Sequence, residues 1–169
     1  MEAVEAQEAP ELWRDLDFIP GGGNYQVSTH GRIRNLRRNK ILKCAFRTDG
    51  YYHVCIGRKL YLVHRLVAMA FLPADPEKKF IDHKDGNRAN NHIDNLRYCT
   101  QAENSRNRVR HKNNTSGFKG VSRVGRKYRA CIHANRRRIH LGCFDTPEEA
   151  HAAYCNAARE VHGEFARFE

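Results

Sequence analysis

The chain has 169 residues, room for one ordinary domain or two small ones. With 40% hydrophobic and 29% charged residues and a formal net charge of +11, it reads as a soluble globular protein, neither disordered nor fibrous. The longest apolar run, Leu66 to Leu72, falls far short of the ~20 residues a membrane span needs, and the acidic N-terminus lacks the apolar core of a secretory signal, so membrane and secreted classes are excluded.

Residues 1–11 read as a loose acidic tail, part of a stretch in which Glu2, Glu5, Glu8, Glu11, Asp15 and Asp17 face only Arg14. Residues 12–62 form a β-rich module. Its strand-like runs are Tyr25–Ser28, Arg32–Leu36, Ile41–Cys44, Tyr51–Ile56 and Lys59–Val63, separated by glycine and asparagine turn signals. Asp49-Gly50 between two such runs is a hairpin cue. A helix follows, because Val63, Leu66, Val67, Ala70 and Phe71 share one 3.6-period stripe and Pro73 closes it. Trp13 and Tyr25 are expected in the core.

Residues 63–107 make the second unit. Phe80-Ile81 is a short apolar run, Lys84-Asp85-Gly86-Asn87 a turn, and Ile93–Tyr98 a second extended stretch. Thr100-Gln101-Ala102-Glu103 is a capping box, in which hydroxyl and carboxylate satisfy each other's backbone amides, so a helix begins just after Thr100. Residues 108–116 read as a basic linker.

Residues 117–169 alternate. Gly117–Arg123 supplies a first short strand; Lys127-Tyr128-Arg129-Ala130-Cys131-Ile132-His133 and Arg138-Ile139-His140-Leu141 alternate polar with apolar. Thr146 caps a helix with Pro147 at its first position and Glu148 and Glu149 in its first turn. Ala150, Ala153, Tyr154, Ala157, Ala158 and Val161 face one way, and Gly163 stops it. The fold class is therefore α+β, ending in a three-stranded antiparallel sheet packed on one helix. The other sheet face carries Lys127, Arg129, His133, Arg138 and His140.

The positive charge has an address. Residues 104–144 hold twelve lysines and arginines and no acid, which leaves the remainder at −1 (18 basic against 19 acidic residues). Basic residues alternating with apolar ones in strands point to a nucleic-acid partner over a merely solvated face. The six cysteines, at 44, 55, 99, 131, 143 and 155, include no CxxC pair, so separate reduced thiols are expected, with zinc through distant His and Cys as the other option.

Asp82-His83 sits where an apolar run meets a turn, and Asn104 falls in the first turn of the capped helix. Cutting a phosphodiester needs a base near neutral pKa, which histidine provides, and a hard cation, which takes oxygen ligands such as Asp82 and the Asn104 amide. Adjacent strand residues point to opposite faces, so Asp82 and His83 serve one site only where the pleat ends.

Val63-His64-Arg65-Leu66-Val67-Ala68, Ile81-Asp82-His83-Lys84-Asp85-Gly86-Asn87, Asn90-Asn91, Asn95-Leu96-Arg97-Tyr98-Cys99-Thr100 and Glu103-Asn104 together resemble the HNH endonucleases of phages and mobile introns. The resemblance implies a ββα-metal core holding one Mg²⁺ (or Mn²⁺) per active site. It implies Asp82 and Asn104 as metal ligands, His83 as general base and Asn95 as brace of the loop presenting His83. His64 belongs to the same signature, with helix packing or phosphate contact as its role; Asn87, Asn90 and Asn91 read as turn formers. Upstream, Tyr25-Gln26-Val27-Ser28 and Gly31-Arg32-Ile33-Arg34 resemble the small module that commonly precedes such nucleases.

Downstream, Ser116-Gly117-Phe118-Lys119-Gly120-Val121, Tyr128-Arg129-Ala130, Leu141-Gly142-Cys143-Phe144-Asp145-Thr146 and Glu149-Ala150-His151-Ala152-Ala153-Tyr154 resemble the APETALA2/ethylene-response-factor DNA-binding domain. There the sheet enters the major groove, which admits β-ribbons. The resemblance implies DNA contacts at Lys119, Ser122, Cys131, His133, Arg138 and His140; Arg123, Lys127 and Arg129 join them on the basic strands. Lys119, Ser122, Cys131 and His140 replace arginine and tryptophan of the plant domains, so the plant target sequence does not carry over. Arg106, Arg108 and Arg110 are candidate DNA contacts leading into the linker.

The expected protein is a metal-dependent, homing-type DNA endonuclease acting on double-stranded DNA in a cytoplasm, that of the host if phage-encoded. It is a monomer or a DNA-induced dimer, with no membrane partner. The rival classes are a catalytically inactive DNA-binding regulator and an RNA-binding protein.

Overall fold

A computed structural model describes residues 10–107, 113–134 and 137–168. Arg108 and Arg110 of the expected DNA contacts, and most of the acidic tail, lie outside the described residues. The chain divides after Tyr98 into two units.

In the first unit β1 (Trp13–Asp15), β2 (Tyr25–Ser28), β3 (Ile33–Asn35) and β4 (Lys40–Ile41) pair antiparallel in chain order. A second antiparallel sheet follows, of β5 (Ala45–Phe46), β6 (Tyr52–Ile56) and β7 (Lys59–Leu62), with the Asp49-Gly50 turn between its first two strands. Helix α1 (Val63–Phe71) lays Val63, Leu66, Val67 and Ala70 into a core shared with Leu16, Val27, Ile33, Val54, Ile56 and Leu96. Each large aliphatic buried there contributes roughly 1.5–3 kcal/mol. Then β8 (Phe80–His83) pairs with β9 (Leu96–Cys99), which is preceded by a 3-10 turn over Ile93–Asn95.

Several expectations shift. The stretch at 93–98 splits into turn and strand, because Asn95 is used to bond the preceding loop. Trp13–Asp15 and Ala45–Phe46 are strands too short to show alternation; their pairing partners define them. Trp13 is only half-buried, with the guanidinium of Arg34 4.2 Å and that of Arg32 5.7 Å from its ring centroid.

In the second unit α2 (Gln101–Arg106) starts at Thr100 with both halves of the capping box formed. β10 (Val121–Val124), β11 (Lys127–Ala134) and β12 (Arg137–Phe144) make an antiparallel sheet in that order, and α3 (Pro147–His162) packs on it. The α3 cap at Thr146 is also a complete box with Pro147 in the first turn. Its buried positions are Ala150, Tyr154, Ala158 and His162. Spacing by four carries the stripe to His162 and leaves Val161 exposed, against expectation. The register shifts between Ala130 and Cys131, leaving Leu141 of β12 without an opposite residue; β11 itself keeps its alternation, with Ala130 and Ile132 in the core. Cys131 stays on the outer face but is covered there, its Sγ 3.8 Å from His140 Nδ1. No helix among the described residues is long and apolar enough to cross a membrane.

Candidate active site

β8 ends at His83, where the Gly86 amide donates to the His83 carbonyl at 2.8 Å and Gly86 takes φ +70°, a conformation suited to glycine. Asp82 and His83 are each 5% exposed. Arg97, from the neighbouring strand, donates to Asp82 Oδ2 from Nε at 3.0 Å and from Nη2 at 2.8 Å.

The His83 ring lies among different partners. Its Nε2 is 3.4 Å from Asn91 Oδ1, its centroid 5.1 Å from that of His64 and 6.0 Å from that of Tyr51. Burial lowers its pKa below the usual histidine value; Asn91, Asp85 and Asp82 pull the other way, and the Arg88 charge adds to the lowering. The ring is therefore neutral at neutral pH. Nε2 faces an amide oxygen, an acceptor, which favours the tautomer with its proton on that nitrogen.

His64 is buried as well, with no hydrogen-bond partner for Nδ1 among the described residues. Burial, helped by the charges of His83, Arg65 and His53, lowers it to about 3. Neutral His64 and Tyr51 wall one side of the His83 ring.

Asn95 works at one remove. Its Oδ1 accepts from the Asp85 amide at 3.0 Å, and its Nδ2 donates to Asp85 Oδ1 at 2.9 Å and to the Asn90 carbonyl at 2.8 Å. Its own carbonyl accepts from the Lys84 amide at 2.8 Å. Asn95 therefore ties down the loop that leaves His83 and touches its ends. Although burial opposes it, hydrogen bonds from Asn90, the Asn87 amide and Asn95 hold the Asp85 carboxyl below its ordinary value.

Two participants escaped the sequence reading. Asn91 reads as a turn former, yet it is the asparagine bonded to His83; the Asn90-Asn91 pair was a signal, but which of the two faces the ring depends on the turn. Arg97 sits within the quoted signature, with nothing local to show that it reaches Asp82.

In the second unit Asn104 lies half-buried on α2, its amide donating to Thr100. Asp82 and Asn104 offer a carboxylate and an amide oxygen, the hard donors a divalent cation such as Mg²⁺ accepts. Among the described residues no three His, Cys, Asp or Glu side chains converge to hold an ion, and none of the six cysteines forms a disulfide.

The outer face of the C-terminal sheet carries Ser122, Arg129 and Cys143 in one register row, Cys131 and His140 in the next, and His133 opposite Arg138 beyond them. Val124, Arg129, Cys131, Arg138, His140 and Cys143 line a shallow depression there. The His140 ring lies between two thiols, Nδ1 3.8 Å from Cys131 Sγ and Nε2 4.0 Å from Cys143 Sγ. Lys127 pairs with Asp145 at 3.2 Å, and Arg123 Nε donates to the Gly125 carbonyl at 3.2 Å. Lys119 is half-buried, and its Nζ donates to the Arg106 carbonyl at 2.8 Å.

Residues 61–106 match the profile of the HNH endonuclease family, and residues 11–57 match the NUMOD4 motif. The DNA endonuclease I-HmuI of Bacillus phage SP01 is 38% identical over 57% of this chain and 57% of its own. The H-N-H endonuclease F-TflII of Escherichia phage T5 is 30% identical over 78% of this chain and 67% of its own. A solved structure described as DNA binding and cleavage by the HNH homing endonuclease I-HmuI superposes with a TM-score of 0.50 at 38% identity, covering 57% of this chain and 56% of that one. The chain spans little more than half the length of the phage SP01 relative and under a third of longer viral relatives.

Proposed function

The chain belongs to the HNH endonuclease family, and from that premise we propose that it hydrolyses phosphodiester bonds of double-stranded DNA at a site selected by its C-terminal sheet. The observation that carries this reading is His83: a buried imidazole at the end of β8, its Nε2 3.4 Å from Asn91 Oδ1 and its pKa lowered by burial.

In this reading His83 takes a proton from the attacking water through Nδ1, and a base of this kind contributes roughly 10²–10⁴-fold in rate. Asn91 holds the productive tautomer. Asn95 fixes the loop after His83 so that the ring does not drift. Asp82 and Asn104 would hold the divalent cation, and Arg97 orients the Asp82 carboxylate. The cation, when bound, supplies charge stabilisation for the phosphate and the leaving oxygen.

The C-terminal strands supply affinity. Arg129, His133, Arg138 and His140 share one face, and a basic sheet face of this width suits a DNA groove. Its resemblance to the APETALA2-type domain, over residues 117–169, supports the same role. A tethered reader raises the local concentration of a small nuclease at its target.

The test incubates supercoiled and linear DNA with the protein and Mg²⁺ or Mn²⁺, beside His83→Ala. Cleavage by the wild type, lost in the variant while binding persists, supports the reading. Wild-type binding without cleavage under either metal overturns it in favour of a DNA-binding regulator.

A further inference from the structure

Helix α2 has six residues, too few to hold itself together in water, and it carries Asn104. Its first turn is closed by the Thr100–Glu103 box. Its last turn is closed from elsewhere in the second unit. Lys119 Nζ donates to the Arg106 carbonyl at 2.8 Å, one of the C-terminal carbonyls that a helix leaves unsatisfied. A cation is also what the negative end of the helix dipole favours.

Lys119 stands on a stiff base. Gly120 beside it has φ +76°, and its backbone lies so close to α3 that an added Cβ would be 2.1 Å from Tyr154 Cδ2. Ser116 Oγ is 2.8 Å from the Val121 carbonyl, and Asn114 Nδ2 donates to the Phe118 carbonyl at 2.8 Å. α2 also packs against the 3-10 turn Gly163–Phe165 that follows α3. Burial, with the Arg167 charge nearby, pulls the Lys119 amine down to about 8, as expected of an ammonium withdrawn from solvent.

We propose that Lys119 is a positioning residue for Asn104: its bond to the last turn of α2 fixes that helix on the sheet-and-helix unit, so this lysine serves the cation site and not the DNA groove. The inference rests on the endonuclease reading, with Asn104 as a cation ligand.

The full chain is compared with Lys119→Met and Lys119→Arg, with Asn104→Ala as reference. Two quantities are read: the Mg²⁺ concentration for half-maximal cleavage of saturating DNA, and DNA affinity against salt without divalent metal. The expected result for Lys119→Met is a rise of about tenfold or more in the Mg²⁺ requirement, the size seen when residues orienting a metal ligand are lost. DNA affinity and its salt slope stay at wild-type values, and Lys119→Arg recovers most of the loss. A shallower salt slope with an unchanged Mg²⁺ requirement makes Lys119 a phosphate contact and overturns the inference, as does no change in either quantity. If Lys119→Met loses its circular dichroism, Lys119→Gln is read by the same two criteria. Failure of the endonuclease reading looks different, since the wild type itself then leaves DNA intact.

Discussion

Arg97 directs two hydrogen bonds to a single oxygen of Asp82, at 3.0 Å from Nε and 2.8 Å from Nη2, with the two side chains 11% and 5% exposed. A pair this buried balances desolvation against attraction, and deleting one partner costs about 3–5 kcal/mol because it leaves the other charge uncompensated. A divalent cation on Asp82 offers a second source of compensating charge. Arg97→Met is therefore expected to lower Tm strongly without metal and to regain more of it than the wild type when Mn²⁺ is added. Equal Mn²⁺ shifts, read by differential scanning fluorimetry, would argue that the cation does not bind at Asp82.

Asn91 and Asn95 separate by what each holds. Asn91→Ala removes the contact to His83 and a 3.3 Å bond to the Ala89 carbonyl, and is expected to slow cleavage about tenfold or more with a smaller fall in Tm than Asn95→Ala. Asn95→Ala leaves the part-buried Asp85 amide and Asn90 carbonyl without their side-chain partner, which costs about 0.5–1.5 kcal/mol for each hydrogen bond lost. Its Tm and cleavage rate should fall together. A stable, inactive Asn95→Ala would instead mean that Asn95 acts on the reacting groups directly.

Acid should unfold the first unit partly through His64. In the unfolded chain this histidine titrates near ~6.5, whereas in the fold it titrates at about 3. Between those values the unfolded state holds a proton that the folded state refuses, so the stabilisation is complete above the higher value and is lost as pH falls toward the lower. One such group gives a slope of up to about 1.4 kcal/mol per pH unit. Urea denaturation at a series of acidic pH values should show this slope, and His64→Phe should flatten it; an unchanged acid limb would assign the slope elsewhere.

Arg138 and His133 face each other across β11 and β12 with both side chains exposed. Arg138→Ala is expected to weaken DNA binding and to reduce the salt slope by about 0.9, the share of one phosphate contact. His133→Ala should weaken binding with a smaller salt effect, because it removes a ring that hydrogen-bonds and not a guanidinium. Unchanged affinity in both variants would move the DNA-binding surface off this sheet.

Much of the local structure was legible in the residues. The capping box at Thr100, the helix cap at Thr146, the stop before Pro73 and the Asp49-Gly50 turn each depend on neighbours within about four positions, and all appear where expected. The end of β8 at His83 was legible too, because Lys84-Asp85-Gly86-Asn87 does not continue a strand. Trp13–Asp15 was not, since three residues show no period and only pairing with β2 makes them a strand.

The sequence by itself determined the chemical inventory: a histidine beside an aspartate at a strand end, an asparagine on a capped helix, and a basic, alternating C-terminal sheet. Tertiary structure decided which groups meet. It set Asn91 rather than Asn90 against His83, brought Arg97 onto Asp82 across fifteen positions, and turned Lys119 inward to the end of α2. It also moved the buried stripe of α3 from Val161 to His162. The reason is physical: caps and turns are satisfied by backbone groups a few residues away. A contact between distant side chains depends on where each strand ends, how its register shifts and which rotamer the packing leaves open.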